Sequence, residues 1–404
     1  MPYRAPVAEL RFLLDHVVGY DRVAATDRFA EAGPETVQAI LDEAGRVCSE
    51  VIAPLQRVGD REPARLENGV VRTPPGFAEA YRAWAGGGWV GMAADPDHGG
   101  MGLPLTLAMA VNDMLSGACL SFQLCPLLSQ GQIEALEQHG SAALKALYLP
   151  RLTSGDWTGT MCLTEPQAGS DVGALTCKAE PDAKGRHRVT GQKIYITWGD
   201  HDVAENICHL VLARLPDAAP GTRGISLFLV PKFLPEDDGR PGRPNALRAV
   251  SLEHKLGLHG SPTAVMAFEG ATGWLVGEPG KGMAAMFTMM NNARLGVGVQ
   301  GIGVAEAACQ KAVEYAQERV QFSQIIQHAD VRRMLAEMRA EIFAARAIAL
   351  ACAVALDMGR ATGEEHWHAR AALLTPIAKA WGTETGIRVA EEGVQVHGGM
   401  GFIE

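Results

Sequence analysis

The sequence predicts an α+β multidomain protein in three parts: an N-terminal helical domain (1–155), a middle β domain of barrel or sandwich type (156–275) and a C-terminal helical bundle (276–404). Three observations carry this reading. Apolar residues recur at helical spacing before about residue 155 and again after Gly280. Between them lie short alternating runs separated by Gly, Pro and Asp clusters. A chain of 404 residues also exceeds what one small core needs.

In the first part, Pro34 and Glu35 open a helix carrying Val37, Ile40, Leu41, Ala44, Val47, Val51 and Ile52 on one face, and Pro54 stops it. A second helix with Phe77, Tyr81 and Trp84 follows Pro74–Pro75 and ends at Gly86–Gly88. A third runs from about Leu105 to Gly117, and Ser129–Leu149 reads as one further amphipathic helix closed by Pro150. In the second part, strands are expected at Arg188–Thr190, Lys193–Thr197, Ile207–Ala213, Ile225–Val230 and Ala264–Phe268, with Pro235–Pro244 as a surface loop. In the third, Asp330 is expected to cap a long helix with Val331, Met334, Leu335, Met338, Ile342, Ala345, Ala349 and Cys352 on one face. A last helix starts near Glu364 and crosses Pro376.

The formal charge of −10 gives no electrostatic support for nucleic-acid binding. Eight scattered cysteines without a CxxC pair argue against zinc and a disulfide framework, and for a reducing compartment. No apolar run reaches the roughly 18 residues of a membrane span. The N-terminus MPYRAPVAELRF lacks a signal-peptide pattern, so a cytoplasmic location is expected.

The most unusual stretch is Met161–Gly173, MCLTEPQAGSDVG. A short apolar run, Met161–Leu163, passes into Thr164 and Glu165. Pro166 breaks the chain, and Ala168–Gly169–Ser170–Asp171 follows as a small-residue turn that admits close backbone approach to a ligand.

This stretch, at the first α–β junction, resembles the first flavin motif of the acyl-CoA dehydrogenase family. Lys193–Ile194–Tyr195–Ile196–Thr197 resembles the second flavin segment. Asn291–Asn292–Ala293–Arg294–Leu295 resembles the start of the first long C-terminal helix. Arg319–Val320–Gln321–Phe322 is similar to the Arg-x-x-Phe step, and Gln395–Val396–His397–Gly398–Gly399–Met400–Gly401–Phe402 to the late glycine motif. The segments Tyr195–Asp202 and Gly224–Lys232 are similar to the long subgroup that includes 3-methylmercaptopropionyl-CoA enzymes.

The resemblance implies FAD-dependent α,β-dehydrogenation of an acyl-CoA thioester to a 2-enoyl-CoA, on a short or medium substrate of the methylmercaptopropionyl kind. It implies that Met161, Leu163, Thr164, Gly169 and Ser170 border the cofactor, that Thr197 reaches the ring nitrogen and that Tyr195 lies against the ring. Ser170, Asn291 and Arg294 would contact the CoA substrate. Arg319, Phe322, Gln395, Gly398 and Gly399 would hold the adenosine–pyrophosphate half of the FAD of a neighbouring subunit. A homodimer or homotetramer and an electron-transferring flavoprotein as acceptor follow from the same resemblance.

The chemistry also needs a carboxylate to take the α proton. The family's usual Glu lies in an aromatic-Glu-Gly-Thr segment downstream of the late glycine motif, and no such tripeptide occurs here. Ala293 occupies the substitute position before the arginine, and Glu404 is only a weak candidate. The expectation is therefore a C-terminally incomplete chain that dehydrogenates poorly by itself, since losing a general base costs roughly 10²–10⁴-fold in rate. Two alternatives stand beside this reading: an acyl-CoA oxidase on the same scaffold, and a non-catalytic flavin- or acyl-CoA-binding subunit.

Overall fold

The computed structural model describes residues 3–236 and 238–403. Along the chain the order is helices, then a β sheet, then a helical bundle. By compactness it forms two discontinuous units: Met1–Gln56 with Leu103–Gln123 and Arg294–Glu404, and Arg57–Gly102 with Leu124–Ala293.

The second unit is built on a seven-stranded sheet. From one edge, Leu247–Leu252 pairs with Thr263–Val276, then come His187–Thr197, Lys178–Pro181, Asn206–Arg214 and Trp157–Cys162. Ile225–Pro231 pairs with both Asn206–Arg214 and the far end of Thr263–Val276, so the pairing closes into a ring. Closure leaves few free edges and encloses a core. Val189, Ile196, Val211, Phe228, Val230, Met266 and Phe268 fill it. Asn206–Arg214 and Ile225–Pro231 are almost wholly buried, which is why they read as continuous apolar runs.

Several elements differ from the sequence reading. Ser129–Leu149 is parts of two helices, Leu120–His139 and Ala142–Ser154. The break falls where the Ser141 hydroxyl accepts a hydrogen bond from the Leu144 amide (3.3 Å) and caps a new helix. That helix passes Pro150 and stops at Gly155, whose φ is +82°. Arg188–Thr190 and Lys193–Thr197 belong to one strand, His187–Thr197. Pro235–Pro244 is not a plain loop, because Phe233–Pro235 pairs with Pro241–Pro244 in a short ladder. Asp330 is not the cap of Ala329–Thr362; His328 holds that position, and Asp330 sits in the first turn bonded to Arg333 (2.9 Å), where a carboxylate suits the helix dipole.

The first unit is a bundle of long helices, Gly282–Glu318 (which begins in the second unit), Ala329–Thr362 and Glu365–His397, joined by Val7–His16 and Leu105–Ala118. Glycines bring two of them into backbone contact. A Cβ at Gly301 would lie 2.2 Å from the Gly382 carbonyl oxygen, and one at Gly382 would lie 2.3 Å from that of Gly298. Helix Ala329–Thr362 is long and apolar enough to cross a membrane by length and composition, but 67% of its most apolar window is buried within the protein.

That helix also carries the unit's buried charge. Arg346 is 0% exposed and forks onto Asp113 through Nε (2.7 Å) and Nη2 (3.1 Å). Its Nη1 donates to Glu306 (3.1 Å) and to Glu9. Arg339 donates to both Glu306 oxygens (2.9 and 2.8 Å) and to Glu9. Two guanidiniums and three carboxylates therefore tie four helices together. Removing one member strands the rest, so Arg346→Met is expected to destabilise the protein by about 3–5 kcal/mol, measured as a lowered midpoint of urea unfolding.

Thr158 and Thr160 of strand Trp157–Cys162 each bond a buried histidine from another segment. His201 Nδ1 accepts from the Val203 amide (3.3 Å), so Nε2 donates to the Thr158 hydroxyl (2.8 Å). His209 Nδ1 lies 2.7 Å from the Thr160 hydroxyl. Burial, reinforced by Lys232, lowers both rings to about 3. Their folded values lie below the unfolded one of about 6.5, so the unfolded chain binds more protons in between. Stability is expected to fall as pH drops from about 6.5 toward 3, by up to about 2.7 kcal/mol per pH unit for two protons. Urea midpoints measured from pH 7 to 4 check this, and His209→Gln should shallow the slope by about one proton.

Candidate functional site

The Met161–Gly173 stretch leaves strand Trp157–Cys162 and closes a tight turn, in which the Glu165 and Ala168 backbones exchange hydrogen bonds of 3.0 and 2.9 Å. Glu165 is 2% exposed and accepts five hydrogen bonds. Its Oε1 takes the Lys193 ammonium (2.8 Å) and the Cys177 amide (3.0 Å). Its Oε2 takes the Thr176 amide (2.7 Å), the Thr176 hydroxyl (2.9 Å) and the Gln167 side chain (2.7 Å). Burial pushes the carboxyl up, but Lys193 and the amides outweigh that and hold it below its ordinary value.

Lys193 is 0% exposed and also donates to the Leu163 carbonyl (2.9 Å), while the Ile194 amide donates to the Thr164 carbonyl (2.9 Å). The two flavin-like segments are thus brought together: Leu163 and Thr164 lie against Lys193 and Ile194. The loop's far end is held by Arg214, which donates to the Leu175 carbonyl (2.9 Å) and to Gly173.

Beside this clamp the strand is bulged. Ala264 faces Ile196 and Met266 faces Lys193, so Val265 opposes both Ile194 and Tyr195. The extra residue is Tyr195, whose φ of +60° is uncommon for a bulky side chain. The bulge turns its ring outward, and Tyr195 is 61% exposed. Thr197 pairs with Thr263, and the next residue, Trp198, at φ +52°, is buried and stacked on Phe77 at 6.4 Å. Two aromatic residues three apart thus hold left-handed backbone, Tyr195 with its ring exposed and Trp198 with its ring packed.

Met161, Leu163 and Thr164 are half-buried, and Gly169 and Ser170 are exposed. Asn291 and Arg294 are exposed one turn apart on Gly282–Glu318, with Ala293 between them half-buried.

In the first unit, Arg319 follows that helix and leads into a small hairpin, with Val320 opposite Gln324 and Gln321 opposite Ser323. Phe322 is its tip, at φ +63° and fully exposed. Gln395 lies in the last turn of Glu365–His397, followed by Gly398 at φ +59° and by Gly399, all three exposed. These motifs meet through Tyr315 and His397, whose rings stack at 4.4 Å and 24°. Glu404 lies outside the described residues.

Sequence reasoning did not find the roles of Lys193, Arg214 or Tyr315. The signal for Lys193 was a lone cation inside an apolar strand; its partner, in a separate loop, was not readable. Glu165→Gln leaves the Lys193 ammonium buried without its counter-charge and is expected to cost about 3–5 kcal/mol. The Glu165→Gln/Lys193→Met double variant removes the buried ammonium and keeps an acceptor for the Thr176 and Cys177 amides, so it should recover much of that loss, and urea unfolding of the singles and the double measures it.

Three family models match the chain: Acyl-CoA dehydrogenase, N-terminal domain over residues 34–156, middle domain over 160–271 and C-terminal domain over 280–404. The chain is 48% identical to 3-methylmercaptopropionyl-CoA dehydrogenase of Ruegeria pomeroyi, over 100% of this chain and 71% of that protein. It is similar to the solved butyryl-CoA dehydrogenase of Megasphaera elsdenii, with a TM-score of 0.77 and 25% identity, covering 92% of this chain and 90% of that one. A chain in the structure of the electron transferring flavoprotein of Acidaminococcus fermentans matches with a TM-score of 0.76 and 25% identity over the same shares, 92% and 90%. The loop, the bulge at Tyr195 and most of the sheet fall in the matched middle domain, and this chain belongs to the acyl-CoA dehydrogenase family.

Proposed function

We propose that the protein catalyses FAD-dependent α,β-dehydrogenation of an acyl-CoA thioester to the 2-enoyl-CoA, with 3-methylmercaptopropionyl-CoA or another short or medium acyl-CoA as substrate. The observation that carries this reading is the Glu165–Lys193 clamp, which sets Thr164 beside the bulge bearing Tyr195. The 48% identity to the Ruegeria pomeroyi enzyme supports the substrate class.

The residues fit a flavin. Tyr195 offers an outward flat ring with a polar handle. The hydroxyls of Thr164 and Thr197 are half-buried and make no hydrogen bond among the described residues, so both are free for a polar ring edge. A Cβ built on Gly169, Gly398 or Gly399 would meet nothing within 4 Å, which leaves the backbone open to close approach. Thr164 and Thr197 would hold the ring edge, with Met161 and Leu163 bordering it. Arg319, Phe322, Gln395, Gly398 and Gly399 would hold the nucleotide half from a neighbouring subunit. When bound, FAD supplies a hydride acceptor for the β carbon.

The chain's own residues bind and orient. Ser170, Asn291 and Arg294 would hold the CoA portion, so that the thioester is positioned before reaction. Glu165 is not the group that takes the α proton, because its five bonds commit both oxygens. An electron-transferring flavoprotein is the proposed acceptor, supported by the likeness to the Acidaminococcus fermentans structure. Leu373, Ile377 and Trp381 are exposed at helical spacing on Glu365–His397 and support a homodimer or homotetramer. All eight cysteines are free and buried, which supports a reducing cytoplasm.

The test is an aerobic and anaerobic panel of acyl-CoAs on the FAD-loaded protein. The expected result is bleaching of the bound flavin by 3-methylmercaptopropionyl-CoA or butyryl-CoA, with electrons passing to an electron-transferring flavoprotein, at a rate lowered roughly 10²–10⁴-fold while no carboxylate is placed to take the α proton. Peroxide release in air, or no flavin response to any acyl-CoA, contradicts it.

A further inference from the structure

The late glycine motif is held in place by more than its own helix. His397 Nδ1 lies 2.7 Å from the Gly393 carbonyl oxygen, which fixes Nδ1 as the donor and stops the ring from flipping. One face of that ring is covered by Tyr315 at 4.4 Å and 24°. Past the turn the chain folds back so closely that a Cβ on Gly401 would lie 3.1 Å from the His397 Cβ and 2.5 Å from the Val394 carbonyl oxygen. His397 is therefore the pivot of the turn.

Tyr315 belongs to a different helix, Gly282–Glu318, and its carbonyl accepts the Arg319 amide (2.8 Å). Arg319 in turn accepts from the Ile325 amide (2.9 Å), which closes the Phe322 hairpin. One ring pair thus joins the Arg319–Phe322 segment to the Gln395–Gly399 segment, which are far apart in sequence.

We infer that Tyr315 is a positioning residue for the nucleotide half of the cofactor: its stack on His397 sets the Gln395–Gly399 turn relative to Arg319. This rests on the reading that those residues hold the adenosine–pyrophosphate part of FAD. FMN lacks that part, so it reports the rest of the site alone.

Apoprotein is titrated with FAD and with FMN by flavin fluorescence, for the wild type, Tyr315→Leu and Tyr315→Phe. A stacked aromatic pair contributes enough that Tyr315→Leu should weaken FAD about three- to tenfold. FMN affinity should stay unchanged, and Tyr315→Phe should restore the FAD value. The inference is overturned if Tyr315→Leu binds FAD as the wild type does, or loses FAD and FMN equally, as a merely structural role would have it. If the wild type itself binds FAD no better than FMN, the underlying reading of Arg319–Gly399 fails instead, and the inference with it. Should Tyr315→Leu not fold, His397→Leu removes the other ring and is judged by the same ratio.

Discussion

A single buried ammonium organises the second unit's candidate site. Lys193 reaches across from its strand to the Leu163 carbonyl and the Glu165 carboxylate, so the loop cannot leave the sheet without stranding a charge. An isolated cation at 0% exposure is costly, and the cost is met only while the loop keeps its shape. That coupling ties a segment of small and polar residues to the sheet beneath it. The neighbouring bulge lies directly after Lys193: Lys193 and Ile196 on either side keep their pairing with Met266 and Ala264, and Ile194 and Tyr195 depart from it.

The first unit uses a different device for the same end. Backbone-close helices at Gly298, Gly301 and Gly382 and the Arg346 network fix the helix directions, and side-chain stacking then fixes the exposed ends. Rigid helices that carry ligand residues at their termini hold position better than loops do. Arg319, Phe322 and Gly398 all sit within a few residues of a helix end, and two of the three have positive φ. Such exposed and conformationally constrained helix ends keep a fixed geometry at the surface.

The three-part order of the fold was legible because each period persists for many residues. The helical face from Met334 to Cys352 and the buried run Ile207–Ala213 each have one simple interpretation. Local breaks were less legible. Gly140–Ser141 divides two helices through one hydroxyl cap, and Pro150 sits inside a helix that the rule for proline would have closed. The short Pro235–Pro244 ladder forms although prolines lack the amide a ladder uses. At the candidate site, the residue types in Met161–Gly173 and Tyr195–Thr197 marked the two segments that the Glu165–Lys193 contact joins. The forces that shape it did not show, because Glu165 with Lys193, and Tyr315 with His397, are pairs that only the tertiary fold brings together.

Under the proposed function, the clamped loop and the bulged strand present Thr164, Tyr195 and Thr197 to one flavin ring. A crystal structure of the FAD-loaded protein tests it most directly. The ring is expected against Tyr195, with its polar edge within about 3 Å of the Thr164 and Thr197 hydroxyls and the Glu165–Lys193 pair intact. A ring bound elsewhere, or a loop released from Lys193 when flavin is bound, would contradict it.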